Sequence, residues 1–187
     1  MRGIITPMRI AVISDTHMPR HDLVLPPACR ARLRAADLIL HAGDWSSMDA
    51  VAMVRGIGPP VVGVRGNVET PEVRAALPVT AEAEVDGVRI GIVHDGGPGD
   101  GRLGRLRRRF AAADAVVFGH SHIPWHEVAP DGFRVVNPGS PTERRRSPRH
   151  SMAEIEVEDG RIAAVAFWAV DDPAGPLDPD LVGGGPR

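Results

Sequence analysis

Short apolar runs alternate along the chain with amphipathic stretches of helical length, a pattern that is typical of an α/β domain. The apolar runs predict strands over residues 9–14, 38–41, 61–64, 88–93 and 115–118. Helices are predicted between them over residues 28–36, 48–55 and 103–110. The strand at 9–14 is apolar at consecutive positions, as expected for a strand that is covered on both faces.

Antiparallel hairpins are predicted beside these strands. Asp86-Gly87 separates apolar runs at 82–85 and 88–93, and an Asp-Gly pair in such a place is the strongest short hairpin signal. Two more hairpins are predicted in the second half of the chain, pairing 125–128 with 133–136 and 153–157 with 162–168. Hairpins combined with parallel strands predict mixed sheets.

The chain has 187 residues, which is enough for one domain with a sizeable core and too few for two ordinary ones. We therefore expect a single domain over residues 1–170. The remainder, 171–187, is rich in Pro and Gly and loses apolar periodicity, so we expect a poorly ordered tail.

Charge and composition exclude several classes of protein. A net charge of −2 gives no global attraction to nucleic acid or to an anionic membrane. No segment has the apolar length that spans a bilayer, and the interrupted apolar N-terminus does not resemble a signal peptide.

The one cysteine, Cys29, fits a reducing compartment, so the cytoplasm is the expected location. The sequence leaves a homo-oligomer open.

Five predicted strands each run into a Gly-rich or turn-rich segment that carries Asp, Asn or His. The seven candidate side chains in these segments are Asp15, His17, Asp44, Asn67, His94, His120 and His122. Strand ends at one edge of a sheet are where α/β folds build their sites. Residues one position apart in extended chain point the same way, so Asp15 and His17 can reach one ion together.

The donor set indicates the kind of metal. Carboxylate, amide and imidazole ligands without a thiolate suit Mn, Fe, Ni or Zn, and manganese is our first expectation. Two ions about 3.5–4 Å apart need a shared carboxylate, for which Asp44 is the natural bridge. Each short motif alone is usually only a turn, but five of them in order, each after a predicted strand, favour a metal site.

The order D-x-H, GD, GN, H and GHxH resembles the calcineurin-like metallophosphoesterase superfamily. The segments 40–44, 64–67 and Asn137–Thr142 resemble its small bacterial and archaeal phosphodiesterase branch. The resemblance runs from about Met8 to Val170. It implies a four-layer α-β-β-α sandwich in which two mixed sheets pack face to face with helices outside. It also implies hydrolysis of a small phosphate ester, most simply a phosphodiester, by in-line attack of a hydroxide that bridges two divalent ions.

The resemblance also implies a role for each candidate. Asp15, His17 and His122 match the ligands of a first ion, and Asn67, His94 and His120 match those of a second, with Asp44 bridging the two. Among them, Asp44, Asn67 and His120 are expected to be catalytic.

The chain departs from the superfamily pattern at three places, one of which is the Gly- and Pro-rich run 96–101, looser than a compact site loop. Many members carry a His after Gly-Asn that contacts phosphate or protonates the leaving group, whereas Val68 and Glu69 follow Asn67 here. The phosphodiesterase branch also lacks that His, so we expect slow turnover of esters with poor leaving groups. The branch usually has His-Gly-His where Asp95 follows His94, and we expect Asp95 to lie on the loop rather than to orient a ligand.

Other polar residues have simpler interpretations. We expect His41 to be a hydrogen-bonded core histidine behind the site, and His21 to be an exposed loop residue. His126 and His150 are expected to have no catalytic role, and the basic runs 105–109 and 144–146 to be solvated surface.

The main alternative to an enzyme is a scaffold. A eukaryotic trafficking subunit resembles this branch but has an impaired site, and its fold serves as a protein-binding surface. All seven ligand positions are filled in the present chain, which favours the enzyme. A nuclease would need a further domain or a basic groove for DNA, and neither the length nor the net charge indicates one.

Overall fold

The computed structural model describes residues 7–18 and 24–184, in which two β-sheets are flanked by short helices. The elements in chain order are β1 (Met8–Ile13), α1 (Pro27–Ala35), β2 (Leu38–His41), α2 (Met48–Arg55), β3 (Val61–Gly63), α3 (Pro71–Ala76), β4 (Thr80–Val85), β5 (Val88–Val93), α4 (Arg102–Arg109), β6 (Ala115–Val117), β7 (Trp125–Val128), β8 (Arg134–Asn137), β9 (Ser151–Glu158), β10 (Arg161–Ala169) and β11 (Gly175–Pro176). None of the described helices has the length and apolar character needed to cross a membrane.

Both sheets are mixed. The first has the strand order β11-β10-β9-β1-β2-β3, and the second has the order β4-β5-β6-β8-β7. In the first sheet β1, β2 and β3 are parallel, and β9 joins β1 from the antiparallel hairpin that it forms with β10. In the second sheet β5, β6 and β8 are parallel, and β4 and β7 are antiparallel edge strands.

Strand β1 shows how the layers are built, because successive side chains of a strand point to opposite faces. Ile10 and Val12 belong to the apolar core between the two sheets. Ala11 and Ile13 face the other way and pack with residues of α1 and α2. A third apolar cluster joins the outer face of the second sheet to α4 through Leu106. The four-layer α-β-β-α sandwich is confirmed.

The predicted hairpins are all present, but two elements differ from the sequence prediction. Helix α3 was missed because six residues beginning at Pro71 are too short to show helical periodicity. The segment expected to be a loose tail includes β11, which pairs with β10. Leu177 in that segment is buried, and its backbone N–H donates to the Phe167 carbonyl. Strand β11 has only two residues, so the local sequence does not indicate that it pairs with β10.

These contacts predict that the C-terminal segment contributes to stability. Leu177→Ala should lower the free energy of unfolding by about 2 kcal/mol, since it removes a buried side chain. Leu181→Ala, a matched change at a less buried position of the same segment, should cost less than about 1 kcal/mol. Chemical denaturation of the two variants measures the difference. Equal costs would mean that the segment is not attached as described.

Candidate metal centre

The seven candidate side chains all follow parallel strands. Asp15 and His17 come after β1, Asp44 after β2 and Asn67 after β3, all in the first sheet. His94 comes after β5, and His120 and His122 come after β6, both in the second sheet. The loops are joined by backbone hydrogen bonds, among them Asp15 N–H to Gly43 O at 2.8 Å and Gly119 N–H to His94 O at 2.9 Å. The structure therefore brings all five segments to one edge of the sandwich.

The backbone is strained at most of these residues. Five of the seven have positive φ angles, which are Asp15 at 56°, His17 at 47°, Asp44 at 59°, His120 at 70° and His122 at 59°. A positive φ is uncommon for residues other than glycine, and each instance costs on the order of 1–2 kcal/mol. Such strain tends to cluster at functional sites, where the surrounding structure maintains it.

A first cluster of potential ligand atoms is formed by Asp15, His17, Asp44 and His122. All four residues are buried, and one ligand atom from each lies within 4.8 Å of the others. His122 Nε2 lies 3.2 Å from Asp15 Oδ1 and 3.3 Å from His17 Nε2. His17 Nε2 lies 3.6 Å from Asp44 Oδ2.

A second cluster adjoins it on the other side of Asp44. His94 Nε2 lies 3.3 Å from Asp44 Oδ2 and 2.9 Å from Asn67 Oδ1. His120 Nδ1 lies 3.2 Å from the same Asn67 oxygen. Asp44 thus touches both clusters, with three candidate residues on either side.

The two oxygens of Asp44 have different surroundings. Oδ1 accepts hydrogen bonds from the backbone N–H groups of Asn67 at 2.8 Å and Val68 at 3.3 Å. Oδ2 is buried, and no donor among the described residues is directed at it with hydrogen-bond geometry. A buried carboxylate oxygen without a donor is costly unless a cation lies beside it.

Titration of the Asp44–His94 pair follows the same logic. Burial opposes ionisation of Asp44, but the His94 imidazole and the two backbone N–H groups hold the pKa of Asp44 well below its usual value. Burial also opposes the charging of His94, yet the carboxylates of Asp44 and Asp15 raise its pKa. The lowered pKa of Asp44 reflects the donors around it, and the raised pKa of His94 reflects the carboxylates beside its ring.

Hydrogen bonds from Nδ1, the ring nitrogen that faces away from the two clusters, orient two of the imidazoles. His94 Nδ1 donates to the Ala42 carbonyl at 2.8 Å, and His122 Nδ1 donates to the Glu143 carbonyl. A donor proton on Nδ1 leaves the lone pair of the neutral ring on Nε2. Both Nε2 atoms then face other lone-pair atoms of the site, an arrangement that a shared cation would stabilise.

Glu69 is a structural residue of the site that the sequence analysis missed. Its buried carboxylate accepts from the backbone N–H groups of Trp45 at 3.1 Å, Ser46 at 2.8 Å and Gly66 at 2.8 Å. It therefore ties the loop after β2 to the loop after β3. In the sequence, only its place three residues after Gly66 could have indicated this supporting role.

The segment after β8 holds two ligand loops in place. Asn137 Nδ2 donates to the Gly119 carbonyl at 2.8 Å. Ser140 Oγ donates to the Asp15 carbonyl at 2.8 Å, and Thr142 Oγ1 donates to the Thr16 carbonyl at 2.7 Å. These bonds give the 137–142 motif a physical role, which is to support the strained backbone before and within the ligand loops.

Glu143, the next residue, was also missed. Its Oε2 lies 3.7 Å from His17 Nε2 and is a buried atom without a hydrogen-bond donor among the described residues. The carboxylate therefore adds a further negative charge at the edge of the first cluster. Its position directly after the 137–142 motif could have indicated that it lies near the site.

The remaining polar residues mostly lie where the sequence analysis expected them. His41 is fully buried and stacks on Trp45 at 3.5 Å, and its Nδ1 accepts from the Gly43 N–H. Burial keeps its pKa well below the usual value, so the ring is neutral. Asp95 is exposed and accepts from the Gly97 N–H, as a loop residue does.

His126 lies on β7, and His150 contacts Asp171. The structure brings neither of these two histidines into the clusters. In the basic run 144–146, the side chain of Arg145 donates to the His120 carbonyl at 3.5 Å. The expectation for His21 lies outside the described residues.

Comparison with known proteins identifies the family of the chain. Residues 8–160 match the calcineurin-like phosphoesterase superfamily domain, so the chain belongs to that superfamily. A probable metallophosphoesterase of Methanocaldococcus jannaschii is 32% identical over 155 residues, which cover 81% of this chain and 77% of that protein. Another, of Methanothermobacter thermautotrophicus, is 35% identical over 160 residues, covering 81% and 88%. The solved structure of vacuolar protein sorting 29 from Cryptosporidium parvum has a TM-score of 0.77 at 21% identity, covering 91% of this chain and 96% of that one.

Close approach at Gly119 provides a test of the site geometry. A Cβ atom there would collide with Ser14 Oγ and lie 2.7 Å from Asp15 Oδ2. Gly119→Ala should therefore displace a ligand loop, weaken metal binding and lower the free energy of unfolding by about 1–3 kcal/mol. Calorimetric metal titration and chemical denaturation measure both effects.

Gly104→Ala is the matched control. Gly104 is an exposed position of α4 where an added Cβ would meet only the end of the Arg108 side chain, at 3.5 Å. That change should stabilise the helix by up to about 1 kcal/mol and leave metal binding unchanged. A Gly119→Ala protein that behaves like this control would contradict the described packing.

Proposed function

We propose that this chain is a phosphodiesterase that works with two divalent metal ions. The observation that carries the proposal is the position of Asp44 Oδ2, which is buried without a hydrogen-bond donor between two groups of ligand-type atoms. A carboxylate placed between two groups of ligand-type atoms would suit a centre that holds two ions. Membership of the superfamily supports the same conclusion.

The residues present fit such ions. Asp15, His17 and His122 would hold one ion, and Asn67, His94 and His120 would hold the other, with Asp44 between them. Oxygen and imidazole donors without a thiolate suit manganese, and also suit iron, nickel or zinc. When bound, the ions would supply an activated water and compensate negative charge on the phosphoryl oxygens.

The protein's own contribution is to position these groups. Glu69 and the 137–142 segment fix the loops, so the ligands are held in place before substrate arrives. The outer hydrogen bonds of His94 and His122 fix the rings with Nε2 directed inward. Groups that are already oriented need little reorganisation during the reaction, which is the main source of electrostatic catalysis.

The residue at position 68 favours diesters as substrates. A phosphomonoester dianion gains from a positively charged His beside the phosphate, whereas a diester carries a single negative charge. Val68 is 43% exposed next to Asp44 and supplies neither a charge nor a proton. Without a general acid there, the departing oxygen leaves as an anion or takes a proton from water, so aryl diesters should react faster than alkyl diesters.

A protein-binding scaffold is the second candidate. The similarity to vacuolar protein sorting 29 supports it, although at 21% identity that similarity concerns the fold. A fold can carry either role, and the residues of the site decide between them. The donor sets on both sides of Asp44 favour the enzyme.

Asp44→Asn tests the centre with the least change in shape. The amide removes the shared negative charge, so the variant should lose most of its bound metal and at least about 100-fold of its activity. Elemental analysis gives the metal content, and hydrolysis of bis(p-nitrophenyl) phosphate by manganese-loaded protein gives the activity. Asp49→Asn, in the first turn of α2, is the control and should change neither. Wild-type turnover by Asp44→Asn with two ions bound would contradict the mechanism.

Val68→His tests the leaving-group argument. An imidazole that donates a proton should accelerate hydrolysis of an alkyl diester by about tenfold or more, while an aryl diester with a good leaving group should change much less. Val68→Gln adds a polar side chain that cannot act as an acid at neutral pH, so it serves as the control. Rates over a series of leaving groups, under one metal condition, measure the effect. Equal acceleration of all esters would contradict it.

A further inference from the structure

A groove of about 520 Å³ opens directly beside the second ligand cluster. It shares Asn67 and His94 with that cluster, so a molecule bound at the metal centre can extend into it without leaving the protein surface. Its lining includes three arginines, Arg65, Arg74 and Arg109. They come from the loop after β3, from α3 and from the end of α4.

The positive charge of this groove is not neutralised by ion pairs. Among the residues that the structure describes, none of the three guanidinium groups lies within 4.0 Å of a carboxylate. Asp95 is the one acid in the lining, and it leaves the groove with an excess of positive charge.

The three arginines differ in how far they are already engaged. Arg74 donates to the carbonyls of Glu69 and Asn67, both at 3.0 Å, and so also supports a ligand loop. Arg65 donates through one nitrogen to the Arg74 carbonyl at 3.0 Å. Arg109 is exposed. Arg65 and Arg109 are therefore the groups with donors left for a ligand.

Arg109 is exposed, as expected for the solvated basic run 105–109, but its surroundings differ from those of Arg105. Arg105 donates to the carbonyls of Gly96 and Pro98, at 2.9 and 2.6 Å, and thereby holds the loop after β5. Arg109 instead lines the groove next to that loop. Neighbouring arginines of α4 thus have separate roles, which their shared basic character conceals in the sequence.

We propose that this groove binds a second anionic group of the substrate. The substrate class is then a phosphodiester whose alcohol part ends in a carboxylate or a further phosphate. Guanidinium groups suit both, because their planar forks match the oxygens of either anion. This inference rests on the proposed function, since the metal centre must hold the phosphodiester while the arginines hold the far end.

Binding of matched phosphates tests the inference without relying on turnover. The probes are butyl phosphate and the isosteric phosphate whose far end is a carboxylate instead of a methyl group, together with longer homologues of both. Calorimetry on the manganese-loaded protein should show about fivefold tighter binding of the carboxylate-ended probe at its best length, as expected for two exposed ion pairs. The preference should shrink as ionic strength rises.

Variants assign the preference to the groove. Arg109→Gln should lower it about twofold and Arg65→Gln/Arg109→Gln should abolish it, with butyl phosphate binding unchanged in both. Arg108→Gln is the matched control, because Arg108 is an exposed arginine of the same helix outside the groove lining. It should retain the full preference.

Two outcomes would overturn the proposals, and they are distinguishable. If the two probes bind equally at every length, or if the double variant keeps the preference, the groove does not bind the anion. If the protein binds no divalent ions in a calorimetric metal titration, the metal centre proposed above is wrong, and the inference falls with it.

Discussion

The buried carboxylate of Asp44 is the group on which the rest of the site depends. One of its oxygens is held by two backbone N–H groups, and the other faces His17 and His94 without a donor. An ionised oxygen in such a place needs positive charge beside it, and the raised pKa of His94 expresses the same need. The polar atoms around Asp44 make most sense as a set that holds cations.

Keeping that carboxylate in place requires a backbone that would not be stable in isolation. Five candidate ligands lie in the left-handed region, and two of them, Asp44 and His120, directly follow a glycine where other atoms approach too closely for a Cβ. The energy that this conformation costs is offset by bonds from outside the ligand loops. Glu69 binds three N–H groups of two loops, and Ser140 and Thr142 bind the carbonyls of a third. The signature segment after β8 is thus a support for the site rather than a part of its chemistry.

A fold by itself does not specify an activity. The similarity to vacuolar protein sorting 29, at 21% identity, concerns the sandwich alone. What this chain can do depends on a small number of side chains at the ends of parallel strands and on what surrounds them. Val68 beside Asp44, and the arginines around the neighbouring groove, are the features of this chain that bear on which ester it would accept.

The sequence by itself predicted most of the strands and the seven candidate residues, because apolar periodicity is local and each candidate lies in the segment after a strand. The four-layer sandwich was implied by the resemblance to the superfamily. The sequence also placed His41 in the core and Asp95 on its loop. Only the tertiary structure showed the contacts that a local sequence pattern does not encode. The pairing of β11 with β10, the support from Glu69 and the approach of Glu143 to His17 join residues that are distant in sequence or marked by no motif. Arg105 and Arg109 lie one turn apart on the same face of α4, and only the folded chain decides that Arg105 holds the loop after β5 while Arg109 lines the groove.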